Sequence, residues 1–231
     1  MIPIALLLIF LGLTTGCAST LQAKPEHQSH AFKESAKGRI VTEAVVPHIH
    51  GPSKVNWSGY DKVQLKPVII SNDFLSELSD EDREELGSLA NSFHDMLTQR
   101  LSESYDLVDH AMPGSMLIEV AITHAERSWV APAVLSKVSW QLQLLNGVLT
   151  YFRGKPAFAG EITIEFTVHD AQTGVLLFTG TDRRVGGQNL FNREVFNSWG
   201  DVQNSFEYWT EQSTYQLCLA RRGTSCVQPK A

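Results

Sequence analysis

Three cysteines in 231 residues are too few for a disulfide-built scaffold, and positions 17, 218 and 226 form no Cys-x-x-Cys redox pair. There is no block of Lys and Arg, and the formal net charge is -6. The basic footprint that nucleic acid or an anionic membrane surface requires is therefore missing, and no nucleic-acid partner is expected. No apolar run reaches the about 20 residues of a membrane-spanning helix. Enzyme signatures are absent too. The chain has no Gly-x-Ser-x-Gly elbow and no His-Glu-x-x-His, and Gly154-Lys155 lacks the upstream glycine and the Ser or Thr of a phosphate loop. No catalytic residue, cofactor or metal is assigned; a hydrolase with dispersed catalytic groups is kept as a minor alternative. His27, His30, His48 and His50 sit in a polar stretch without fixed geometry, so a metal site there is not expected.

What is present begins with an uncharged apolar run, residues 4–13, followed by Thr14-Thr15-Gly16-Cys17. Its length fits the about 7–15 residues of a signal-peptide core. Small residues before a cysteine predict cleavage after Gly16 and a lipid, palmitate included, on Cys17 as the mature N-terminus. Thr14 stands where an aliphatic residue is usual, and no Lys or Arg precedes the run. Ala18, in place of an aspartate, favours the periplasmic face of an outer membrane. Several acyl chains together make such an anchor effectively permanent.

Residues 17–55 are polar, with Pro25, Pro47 and Pro52, and read as a flexible tether with a reach of about 30–35 Å. Residues 56–231 carry the core pattern. Residues 62–70 have strand composition, interrupted by Pro67, which suggests an edge position or a bulge. Ser79 and Asp82 predict a helix start, with Leu86, Leu89, Ala90, Phe93, Leu97 and Leu101 as its apolar stripe. A short strand over 105–109, a Pro113-Gly114 turn and an alternating strand over 116–125 follow. Residues 129–152 fit helix or strand, with a lean to helix. Strands over 157–168 and 175–185 flank a turn in which Asp170 bonds back to the backbone and Gly174 takes positive φ. Ser198 with Asp201 predicts the start of a second helix, with Val202, Phe206, Trp209, Ser213, Leu217 and Ala220 as its stripe. The fold class is α+β: one two-layer domain, a mostly antiparallel sheet with two long amphipathic helices on one face.

The stretches Trp57-Ser58-Gly59-Tyr60-Asp61, Leu117-Ile118-Glu119-Val120-Ala121-Ile122-Thr123, Asp170-Ala171-Gln172-Thr173-Gly174 and Thr181-Asp182-Arg183-Arg184 stand in an order and spacing that resemble a family of bacterial lipoproteins. That family carries the domain of unknown function numbered thirty-three thirteen. The likeness spans residues 57–217. It implies an envelope lipoprotein and transfers no catalytic residue.

Cys218 and Cys226 are expected to pair in an oxidising periplasm and to pin the C-terminal tail to the last helix. Asp182, Arg183 and Arg184 are candidates for gripping an anionic group, set against cross-strand ion pairs with Glu165 and Asp170 on a solvated face. Trp129, Trp140, Tyr151, Phe152, Phe191, Phe196 and Trp199 are candidates for a partner patch or for capping the core. The leading functional expectation is a non-catalytic, lipid-anchored envelope protein that binds another protein or assists envelope assembly. The alternative is a small lipid- or glycan-binding module with residues 129–152 as pocket wall.

Overall fold

The computed structural model describes residues 20–23, 55–128, 159–186, 198–221 and 226–229. The chain runs β1 (Thr20–Ala23), a 3-10 turn (Trp57–Gly59), β2 (Lys62–Leu65), β3 (Ile69–Ile70), α1 (Asn72–Leu75) and α2 (Asp80–Ser102). It continues through β4 (Asp106–Leu107), β5 (Ser115–Glu126), β6 (Glu161–Asp170), β7 (Leu176–Gly186) and α3 (Gly200–Ala220). The order across the sheet is β1-β7-β6-β5-β2-β4, with β3 also on β5. The long ladders β5–β6, β6–β7 and β1–β7 are antiparallel. The expected α+β architecture is thus present, with an unexpected parallel flank: β2, β3 and β4 run parallel to their neighbours. Parallel neighbours need a crossover, and α1 and α2 supply it between β2 and β4.

Local chemistry explains most boundaries. Ser79 Oγ accepts from the Asp82 N–H at 3.1 Å and donates to Asp82 Oδ2 at 2.6 Å, which starts α2 as expected. Residues 62–70 split at Pro67 into β2 and β3. Leu65 lies opposite Ile118 and Ile69 opposite Ala121, so the Pro67 side carries one extra residue and behaves as a bulge. At the β6–β7 turn, Asp170 Oδ1 accepts from the N–H groups of Gln172 and Thr173, and Gly174 takes φ 69°. The Cys218–Cys226 disulfide is formed, with a Cα–Cα distance of 5.7 Å. Chain entropy for so short a loop gives it about 2.6 kcal/mol of stabilisation.

Two expectations need correction. Thr20–Ala23, inside the expected tether, is an edge strand paired with β7. The second helix is not capped by Ser198: it starts at Gly200, and its N-cap residue, Trp199, makes no side-chain cap bond. Asp201 is drawn elsewhere. Its Oδ2 accepts from the Gly160 N–H at 2.8 Å, where β6 begins, while Gly186 N donates to Gly160 O at 2.8 Å. The Ser198 carbonyl is taken by Ser128.

The core lies between the sheet and the paired helices. Phe93 of α2 stacks on Phe206 of α3 with ring centres 4.3 Å apart and planes 8° from parallel. Ile118, Val120 and Ile122 of β5 and Ile162, Ile164 and Val168 of β6 complete it. Among the described residues, no helix is long and apolar enough to cross a membrane.

The Gly186–Asp201 junction yields a test. A Cβ on Gly186 would overlap the Asp201 carboxylate. Gly186→Ala is expected to cost about 1–3 kcal/mol in urea unfolding, the range for overpacking. Asp201→Ala in the same chain should recover part of that loss. A variant as stable as the parent would show that α3 is not docked through this contact.

Candidate apolar ligand site

The alternation along β5, β6 and β7 sends one set of side chains toward the helices. Ile118 faces Val168, Val120 faces Phe166 and Ile164 faces Asp182 in register. The layer is not filled: a cavity of about 220 Å³ lies between this face and α2 and α3. Apolar groups dominate its wall, among them Trp57, Phe93, Leu97, Phe166, Phe178 and Trp209. Half-buried Trp57, Phe178, Ser213 and Gln216 bring it toward the surface. Among the described residues its polar groups are Gln212, Ser213 and Gln216 of α3, and Asp182 of β7.

Asp182 is 1 % exposed. Its Oδ2 accepts from Trp209 Nε1 at 2.6 Å and its Oδ1 from Gln22 Nε2 of β1 at 2.9 Å. Burial pushes this carboxyl upward; the Trp209 and Gln22 bonds and the charge of Arg184 act against that. Arg184, also buried, donates to the hydroxyl of Thr20 at 2.7 Å and to its carbonyl at 2.9 Å, and lies 3.5 Å from the centre of the Tyr208 ring. Burial lowers the guanidinium, and Tyr208 and Asp182 oppose the shift. The short strand β1 therefore closes the polar end of the layer.

Arg183 points to the other sheet face, so the three candidates Asp182, Arg183 and Arg184 are not brought together as one grip. Arg183 is 3 % exposed and places Nη2 2.5 Å from Oε2 of the buried Glu161; His124 Nε2 lies 3.2 Å from Glu161 Oε1. Glu165 and Thr163 are buried on the same face. These residues do not form the solvated face expected. The sequence reading also missed that His124, Glu126 and Glu161 bring one nitrogen and two oxygens within 4.8 Å of one another, as a divalent ion would need. Both Glu161 oxygens are already engaged, which argues for an ion-paired strut. The signal was legible: Glu161, Thr163, Glu165 and Thr167 alternate on β6, a polar row on a strand whose other row is apolar.

Trp199 is 6 % exposed; its Nε1 donates to Glu85 Oε2 at 2.6 Å and Arg127 sits over its ring, so it caps the core. Cys17, the four histidines 27, 30, 48 and 50, Trp129, Trp140, Tyr151, Phe152, Phe191 and Phe196 lie outside the described residues, as does the pocket wall expected over 129–152. The cavity found here is built from other elements.

Comparison with known proteins places residues 52–213 on the family described as "Protein of unknown function (DUF3313)". The chain belongs to this family. No curated protein matches it significantly. Among solved structures it is similar to the PelC dodecamer from Paraburkholderia phytofirmans, at 9% identity and a TM-score of 0.36 over 77% of this chain and 98% of that one. A single-substitution variant of the same dodecamer, in another crystal form, gives 9% identity and a TM-score of 0.35 over 72% and 89%. At this level the likeness carries no functional argument.

Proposed function

We propose that this member of the family is a non-catalytic, lipid-anchored envelope protein whose domain binds a small apolar ligand between its sheet and its helices. The observation that carries this reading is the cavity of about 220 Å³ with an almost wholly apolar wall. An apolar cavity of about 150 Å³ suffices for benzene. This one suits a single ring with a short chain, or the end of an acyl chain, and is too small for a whole diacyl lipid. It does not suit a sugar, whose many hydroxyls would find few partners on such a wall.

Two measurements test this. In calorimetric titration propylbenzene is expected to bind the purified protein saturably, and Ser213→Trp, which places an indole at the rim, to abolish that binding without lowering the melting temperature. No saturable signal would sink the ligand reading. For the anchor, mass spectrometry of the mature protein from cells should find acylated Cys17 at the N-terminus. An unmodified Cys17 would remove the anchor from the proposal.

A further inference from the structure

Among its described lining residues the cavity has one ionisable side chain, Asp182, and no Lys, Arg or His. Each Asp182 oxygen receives one side-chain hydrogen bond, from Gln22 or from Trp209. The Arg183 backbone N–H bonds this carboxylate as well; a carboxylate offers about four acceptor sites, so about one is left over. Among the described residues the wall thus presents one charged acceptor and no cation, beside the neutral Gln212, Ser213 and Gln216. Arg184, on the same strand face, spends its guanidinium on Thr20 and on the Tyr208 ring and is not part of the wall. An anionic head group entering here would meet the Asp182 carboxylate, with only the neutral donors of Gln212, Ser213 and Gln216 to replace its water. A hydroxyl or ammonium would be met by a fixed acceptor in an apolar setting, where charge-assisted hydrogen bonds are strong. Gln22 is exposed, so its amide can turn to water when a ligand head takes its place.

We propose that the cavity selects an apolar ligand whose polar end is a hydrogen-bond donor, an alcohol or an amine, seated against Asp182, and that it rejects carboxylates. This rests on the apolar-ligand reading above and specifies the ligand class for that site. Atom for atom, the recognition is one donor to Asp182, with the ring or chain held among Phe93, Leu97, Phe166 and Phe178.

Calorimetric titration of the full protein with propylbenzene, 4-propylbenzyl alcohol, 4-propylbenzylamine and 4-propylbenzoate separates the two claims. The alcohol and amine are expected to bind at least about tenfold more tightly than the carboxylate. In Asp182→Asn the preference for amine over carboxylate should collapse toward unity. If that variant does not fold, Gln22→Ala takes its place: freeing one Asp182 oxygen should tighten the amine severalfold and leave propylbenzene unchanged. Equal binding of all four ligands, or tightest binding of the carboxylate, overturns the donor rule and leaves the apolar site standing. An amine preference that survives Asp182→Asn, or an amine affinity unmoved in Gln22→Ala, overturns the role of Asp182. Failure of every ligand, propylbenzene included, refutes the apolar-ligand reading and the donor rule with it.

Discussion

Replacing Arg183 with Met is expected to lower the unfolding free energy by about 3–5 kcal/mol, the cost of breaking a buried ion pair from one side. Arg183 and Glu161 are 3 % and 4 % exposed, and their contact distance is 2.5 Å. Taking away the guanidinium leaves a carboxylate that had given up its water for that partner. His124, 3.2 Å from the other oxygen, compensates in part. The double substitution Arg183→Met, Glu161→Leu should regain most of the loss, since an apolar pair of similar volume replaces a buried ion pair at little cost. Urea unfolding of the two single variants and the double gives the coupling directly. A single-variant loss below about 1 kcal/mol would mean that water reaches this face and that the pair behaves as a surface one.

Phe93→Ala should also cost about 3–5 kcal/mol, as expected for a large aromatic removed from a core. Phe93 is 1 % exposed, stacks on Phe206 at 4.3 Å and lies 6.1 Å from Trp209. It belongs to the cavity wall as well. The stability loss therefore comes with a functional gain: the emptied ring volume joins the existing space. Ligands one ring larger, such as naphthalene derivatives, should bind the variant more tightly than the parent, while single-ring ligands weaken because they fit loosely. Unfolding curves and probe titrations on the same preparation measure both effects. If the size preference does not move, Phe93 does not border the space that ligands occupy.

The two long helices and the β6–β7 hairpin were legible in the sequence because their signals are local. Ser79 sits three residues before Asp82, and Asp170 four before Gly174, so each device acts within one turn of chain. The disulfide was legible from compartment and spacing. The strand β1 was not, since Thr20-Leu21-Gln22-Ala23 alternates over only four residues at the head of a long polar stretch, too short a run to stand out. What places it is β7, whose Asp182 and Arg184 need Gln22 and Thr20 from about 160 positions away. The burial of Arg183 and Glu161 was missed for a similar reason. Alternation assigns a residue to a face and does not say whether that face meets water. The cavity was the least legible feature: whether facing side chains leave a gap depends on their summed volumes and on the helix position, neither of which has a periodicity to read. Among the cavity's lining residues Phe93, Leu97 and Trp209 were legible as core stripe, Asp182 alone as a binding candidate, and its neighbour Arg183 proved to serve the opposite face.

β1 also decides where mechanical load enters the molecule. With Cys17 acylated as proposed, only two residues separate it from Thr20, and those three steps of chain span at most about 11 Å. The domain would then ride against the bilayer by its β1–β7 edge, with little freedom to swing. Any tug on the lipid would arrive first at Thr20, the residue whose hydroxyl and carbonyl are both held by Arg184. The next bond along that path, from Gln22, ends on Asp182 at the cavity wall.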